Sequence, residues 1–199
     1  MAKISTYPII TSPVLSDILI GSDVMNTNMT KNFMLSDILG LISNYGYFYN
    51  STTQLATLVD TPYAMQFDSL TFNNNVTINN NLLLDPTRIT IGLGGVYNIQ
   101  VSPQFNRANT ATSTVNVWLR KNEVDVSNTN RKLVITGGVT TSSNPQVFSF
   151  LVNAAGGDYY EIMWATPDIN VEIIALPVQT IPYALPETPS VLLSVNQVG

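Results

Sequence analysis

From about Tyr47 onward, apolar and polar residues alternate with a period of two, in short segments separated by turn residues. In "GVYNIQVSP", Val96, Asn98 and Gln100 fall on one side and Tyr97, Ile99 and Val101 on the other. In "STVNVWLRKN", Val115, Val117 and Leu119 share a face, opposite Asn116, Trp118 and Arg120. "QVFSFLVNA", "YEIMWAT", "NVEIIAL" and "PSVLLSVNQV" continue the pattern. Between them lie the turn signals Gly94-Gly95, Lys121-Asn122, Gly137-Gly138, Asn144-Pro145, Gly156-Gly157-Asp158 and Pro167-Asp168. Short strands at this spacing, with no helical stretches between them, predict an antiparallel β-sandwich or barrel. A parallel α/β sheet would need those helices.

Pro177, Pro182, Pro186 and Pro189 cannot donate ladder hydrogen bonds, so residues 177–189 are expected to form a loop. That loop delivers the chain to "SVLLSVNQV", a strand expected in the middle of the fold and tied down on both sides.

The first 45 residues read differently. The pentapeptide LSDIL occurs twice, at Leu15–Leu19 and Leu35–Leu39. The first copy lies between Pro13 and Gly21, too short a span for a helix, so "DILIG" should be extended. The second has Ser36 as an N-cap, Asp37 in the first turn, and Ile38, Leu41 and Ile42 at helical spacing before Asn44 and Gly46. Identical letters thus predict a strand and a short amphipathic helix. One short strand and one short helix cannot bury enough surface to stand alone, so this piece is expected to attach to something else.

Composition sharpens the picture. Of 199 residues, 45% are apolar, which is ordinary, but only 11% are charged, against about 25% in typical soluble domains. Asn, Thr and Ser supply the polarity. Such a surface suits a protomer that faces copies of itself, and equally a neutral Asn/Thr-rich β surface. The net charge is −5 and Lys/Arg runs stop at two residues, which argues against nucleic-acid binding. No segment approaches eighteen consecutive apolar residues, so no membrane insertion is expected. "MAKISTYPII" lacks the apolar core and cleavage site of a secretory signal. Cys and His are absent, which leaves carboxylates as the remaining acid–base chemistry.

Three constellations of side chains bear on chemistry. Asp158, Glu161 and Glu172 could resemble a glycosidase pair. Residues three apart on a strand face opposite ways, so Asp158 is expected to shape its turn and Glu161 to lie on a solvated or intersubunit face. "DVSNTN" (Asp125–Asn130) offers oxygen ligands but lacks the glycine turn and distal Glu of a calcium loop, and is expected to be an ordinary loop. Trp118, Trp164, Tyr97, Tyr159 and Tyr160 could stack on sugars, but strand aromatics more commonly fill cores or interfaces. An intersubunit or second-layer position suits Trp118. The sequons at Asn28, Asn50 and Asn75 are expected to carry no glycan, because no secretory signal is read in the sequence. No catalytic, cofactor-binding or metal-binding residue is therefore assigned, no cofactor is expected, and the glycan-binding residues are left open.

Several spaced motifs resemble the C-terminal C1q/TNF-like jelly roll of bacteriophage virion fibre proteins. They are G-x-Y-x-I-x-x-S-x-Q-x-x-R at Gly95–Arg107, V-W-L-R-K-N at Val117–Asn122, G-D-Y-x-E-I-x-W at Gly157–Trp164 and P-S-V-x-x-S-V-N-Q at Pro189–Gln197. "SDILIGSDVMNTNMTKNFMLSDILGLIS" is similar to the leader preceding such domains. The position after "RKN", often Gly in a tight hairpin, is Glu123, so a longer or different turn is expected there. The resemblance implies an all-β antiparallel jelly roll over residues 46–199 and a virion-attachment segment of a strand plus helix over residues 1–45. It further implies a homotrimer in the virion, assembled in the bacterial cytoplasm, that contacts capsid or tail proteins through residues 1–45 and could meet host surface glycans, without catalysis. A free lectin-like carbohydrate-binding module is the alternative.

Overall fold

The computed structural model describes residues 14, 16–23, 29–34, 44–108, 111–136 and 144–199. The chain divides into two compact units, Met1–Ser43 and Asn44–Gly199.

In the first unit, β1 (Ile18–Asp23) and β2 (Met29–Met34) form an antiparallel hairpin, from Ile18↔Met34 to Asp23↔Met29. The extended reading of "DILIG" holds, and β2 is a strand that the sequence pattern did not announce. A side chain at Gly21 would press on the Phe33 ring, so the glycine lets that ring lie across the hairpin. The helix expected over residues 36–43 lies outside the described residues.

The second unit is an all-β antiparallel sandwich with jelly-roll connections. Its strands are β3 (Tyr45–Asn50), β4 (Gln54–Leu55), β5 (Tyr63–Ala64), β6 (Ser69–Asn74), β7 (Val76–Asn80) and β8 (Pro86–Ile91). They continue with β9 (Gly95–Arg107), β10 (Thr112–Lys121), β11 (Val124–Asp125), β12 (Arg131–Thr136) and β13 (Asn144–Pro145). The chain finishes with β14 (Phe148–Ala154), β15 (Tyr159–Ala165), β16 (Val171–Ile173) and β17 (Val191–Gln197). One sheet runs β7-β8-β15-β10, with β11 and β12 on β10 and β5 on β15. The other runs β6-β3-β17-β9, with β13, β14 and β16 on β9 and β4 on β16. The path crosses between sheets at β4–β5, β5–β6, β6–β7, β8–β9, β9–β10, β12–β13, β14–β15 and β15–β16, so many neighbours in space are distant in sequence.

The alternation read from the sequence decides the two faces. Tyr97, Ile99, Val101 and Phe105 of β9 point inward, as do Val115, Val117 and Leu119 of β10, and all join one hydrophobic cluster. Phe105 and Trp164 meet across the sandwich with ring centroids 6.1 Å apart. β17 is held by β3 on one side and β9 on the other, as expected for the final strand.

Residues 177–189 contain no named strand, but they fold back on themselves. Leu176 pairs with Thr188, and Gln179 with Leu185. The bridging residues are all non-prolines, which leaves each proline free of a donor role. Two turn expectations need correction. Asn144-Pro145 is not a turn but a short strand paired with Gln104 and Phe105, at the edge where a proline is tolerated. After "RKN" the hairpin remains a two-residue turn, since Lys121 pairs with Val124. Asn122 and Glu123 both adopt positive φ, 46° and 68°, as a primed turn requires.

Candidate functional site

The outer face of the β10–β15 sheet gathers several charged and amide side chains. Because β10 alternates, Asn116, Trp118 and Arg120 project outward together. The antiparallel register sets Trp118 beside Met163 and Arg120 beside Glu161.

β8 pairs with β15 only at Tyr159 and Tyr160, after which the two strands part. The segment around β5 fills the gap, with Met65 N–H donating to Ile162 O at 2.8 Å and Phe67 N–H to Pro86 O at 2.8 Å. A cleft of about 310 Å³ remains, lined by Thr87, Arg88, Arg120, Glu123, Glu161 and Met163, and rimmed by Leu82 and Leu83. Glu161 is only 4% exposed, and its Oε1 accepts the Thr87 hydroxyl at 2.6 Å. The expectation of a solvated or intersubunit Glu161 is thus corrected: the inserted segment buries it within the protomer. At the cleft mouth, Glu123 Oε1 accepts from Arg88 Nη2 at 2.5 Å and from the Tyr159 hydroxyl at 2.8 Å. The Arg88 guanidinium lies 4.5 Å from the Tyr159 ring centroid. The tyrosine hydroxyl foremost, and Arg88 with it, hold the Glu123 carboxyl below its usual range.

Beside this cleft lies an open groove of about 600 Å³, lined by Asp60, Asn116, Trp118, Asp125, Asn128 and Asn130. Asp125 Oδ1 accepts the Trp118 indole N–H and Arg120 Nε–H, each at 2.9 Å. The indole bond first, and Arg120 second, keep its carboxyl below the ordinary value. Asn130 Nδ2 donates to Asn116 Oδ1 at 3.3 Å. Asp60 is brought in by its own N–H, which donates to Thr166 O at 2.8 Å.

The three carboxylates considered for hydrolysis do not converge. Asp158 closes the turn before β15, where Gly157 takes φ 91°. It accepts from Ala155 N–H at 2.7 Å, Asn122 Nδ2 at 2.8 Å and Lys121 Nζ at 2.6 Å. Lys121 is the chief reason its pKa falls to about 2. Glu172 lies in the other sheet and accepts from Asn106 Nδ2 at 2.7 Å. The Asp125–Asn130 segment is closed by its own bonds: Thr129 Oγ1 donates to Val126 O at 2.7 Å and accepts Leu119 N–H at 3.1 Å. No group of three acidic side chains gathers among the described residues.

The aromatics separate cleanly. Trp164, Tyr97 and Tyr160 are core residues, whereas Trp118 and Tyr159 stay on the outer face. Sequence alternation could place Trp118 outward. It could not bring Asp60 beside it, because that residue arrives on a loop remote in the chain. Of the sequon residues, Asn50 is buried and used internally, donating to Gln66 O at 3.1 Å.

No protein-family model matches the chain, and no curated protein matches it either.

Proposed function

We propose that this protein is a structural component of a tailed-phage virion, a homotrimeric head or tail fibre or a capsid decoration. Residues 1–45 attach to capsid or tail proteins, and residues 46–199 form a C1q/TNF-like jelly roll that faces outward.

One observation carries the reading. Across β14, β9, β17, β3 and β6 the outer face bears no charged side chain, and Glu172 of β16 lies at the far end of the sheet beside Asn106. Tyr45, Tyr47 and Tyr49 line β3, where Tyr47 stacks on Phe72 at 5.6 Å between centroids. Phe72 is 54% exposed and Leu151 70% exposed on this same uncharged surface. Across these five strands the charged residue is Arg107, at the end of β9, where Asp168 engages it. The opposite sheet, by contrast, turns Arg88, Arg120, Glu123 and Asp125 outward. A broad face of aromatic, aliphatic, amide and hydroxyl groups without charge is what an interface core looks like. Closed threefold symmetry would cover it with copies of the same surface. The apolar side chains of Ile18, Leu19 and Ile20 stand exposed on β1, which suits an attachment role for the leader.

Light scattering of the purified protein tests the assembly. The reading expects three times 21.8 kDa, and a monomer at micromolar concentration overturns it. Cryo-electron microscopy of intact particles tests the virion position. Catalysis forms no part of the reading, since Asp158, Glu161 and Glu172 are each bound separately.

Host-surface adhesion is a second reading, favoured by the open groove at Trp118. It fails if the purified trimer binds neither host cells nor envelope glycans and its loss leaves adsorption unchanged. A free lectin would bind sugar in the same way but would be missing from purified particles.

A further inference from the structure

We infer that the groove at Trp118 is a binding site for neutral saccharides, with the indole as stacking platform and Asp125, Asn116, Asn130 and Asp60 as hydroxyl partners. The inference deepens the host-surface reading and rests on it for its biological role.

Trp118 and Asn116 are two residues apart on one strand face, about 7 Å at ~3.4 Å per residue. That is on the order of the width of one pyranose ring. A sugar lying on the indole therefore reaches the Asn116–Asn130 amide pair at one edge. The other edge meets Asp125. Pyranose C–H groups carry partial positive charge and pack on the negative face of an aromatic ring. The indole is already oriented, because its N–H is anchored to Asp125 Oδ1 at 2.9 Å, so little order has to be imposed on binding.

The polar groups suit vicinal hydroxyls. Asp125 Oδ1 is occupied by Trp118 and Arg120, while Asp125 remains 56% exposed and can offer its second oxygen to a hydroxyl donor. The Asn116–Asn130 pair spends one donor and one acceptor on itself at 3.3 Å, which leaves the other amide groups to give and accept. Asp60 supplies a second carboxylate from across the groove.

Charge selects the class. Two carboxylates line the groove, and the neighbouring cation, Arg120, is already paired with Asp125. A uronic or sialic acid would bring a third carboxylate against these two, and Lys132, opposite Asn116 on the neighbouring β12, is not among the residues that line the groove. Neutral hexoses or N-acetylhexosamines meet no such repulsion.

The chain has two tryptophans, and Trp164 is buried, so iodide quenching reports selectively on Trp118. The intact protein would be titrated with neutral oligosaccharides of glucose, galactose, mannose and N-acetylglucosamine, and with oligogalacturonate. The expected result is saturable protection of Trp118 by at least one neutral ligand, with a dissociation constant of ~1 mM or tighter. Calorimetry with that ligand should show binding weakened about tenfold or more in Trp118→Ala and Asp125→Asn, and partly kept in Trp118→Phe. No protection by any neutral ligand, unchanged binding in Trp118→Ala, or equal binding of oligogalacturonate would each overturn the inference. A monomeric protein that still binds sugar removes the trimeric fibre and leaves this site; a trimer that binds none does the reverse.

Discussion

Glu123 holds Arg88 at 2.5 Å from a backbone position, φ 68°, that side chains with a Cβ rarely adopt. A left-handed conformation costs a non-glycine residue roughly 1–2 kcal/mol. The ion pair offsets only part of this, because the Glu123 side chain is more than half exposed and surface pairs contribute about 0–1 kcal/mol. Glu123→Gly should therefore be neutral or slightly stabilising. Glu123→Ala keeps the strain, loses the pair, and should lower stability by about 0.5–1 kcal/mol. Urea denaturation of the two variants checks the order. A glycine variant less stable than the alanine one would show that the carboxylate outweighs the turn.

Asp158 predicts an acid-sensitive component of stability. Its folded pKa, about 2 against an ordinary 3.8, is depressed chiefly by Lys121. The folded state thus favours the ionised form, so the contribution is complete above 3.8 and is lost as pH falls toward 2. Wild type should exceed Asp158→Asn in stability by a constant margin above about pH 5, and the margin should close in strong acid. Thermal melts across that range are the check. A margin that stays constant down to the lowest pH would mean that the native carboxylate is not what Asn removes.

Strand identity was legible wherever a period of two runs unbroken. β9 and β10 sort Ile99 from Asn98 and Val117 from Trp118 with no help from tertiary structure. β7 was hidden because "NNNVTINNN" is dominated by Asn, a poor strand former, and its place is fixed by pairing with β8. β2 was hidden because "MTKNFM" has no clear apolar face. Glu161 illustrates a harder limit. Its position on an outward strand face was readable, but its burial depends on residues 63–67, about a hundred positions earlier. Half of the groove was readable in the same sense. Trp118 and Asn116 share a face by alternation, whereas Asp60 arrives by chain path.

The final strand should be indispensable. β17 supplies seven register pairs to β9 and six to β3, and its Val191, Leu193 and Val195 side chains are fully buried. Removing residues 190–199 would leave two unpaired strand edges inside the sandwich and an open core, and should abolish folding. Leu193→Ala is the milder version. It leaves the ladder intact, creates a cavity and should cost about 2–5 kcal/mol by chemical denaturation. A soluble truncation with an unchanged melting temperature would contradict the central placement.

Arg107 and Asp168 form a second, more deeply buried pair, through both Nε and Nη2 of the guanidinium. Desolvation acts to raise the Asp168 pKa, yet hydrogen bonds from Asn170 and Arg107 outweigh it and leave the carboxyl lowered. The arginine also ends β9, where Val171 pairs with it. Arg107→Ala should strand the carboxylate in a low-exposure site and cost about 3–5 kcal/mol. The double variant Arg107→Met with Asp168→Leu removes both charges and should recover much of that loss. Equal destabilisation of the single and double variants would mean that packing, rather than uncompensated charge, sets the cost.

The uncharged sheet face makes the sharpest prediction about assembly. Tyr47 is half-buried in β3 and Leu151 is exposed in β14, so neither side chain fills the core of its own protomer. An aspartate at either position should leave the sandwich folded. In a trimer that closes over this face, the same aspartate would be buried without a partner, and a buried unpaired charge costs several kcal/mol. Tyr47→Asp and Leu151→Asp should therefore reduce the light-scattering mass toward 21.8 kDa while circular dichroism stays that of a β protein. Leu83→Asp serves as the control. Leu83 is even more exposed than Leu151 but rims the cleft on the opposite sheet, and its replacement should leave the assembly intact. If Leu83→Asp dissociates the protein while the other two do not, the interface lies on the charged sheet and the threefold arrangement proposed here is wrong.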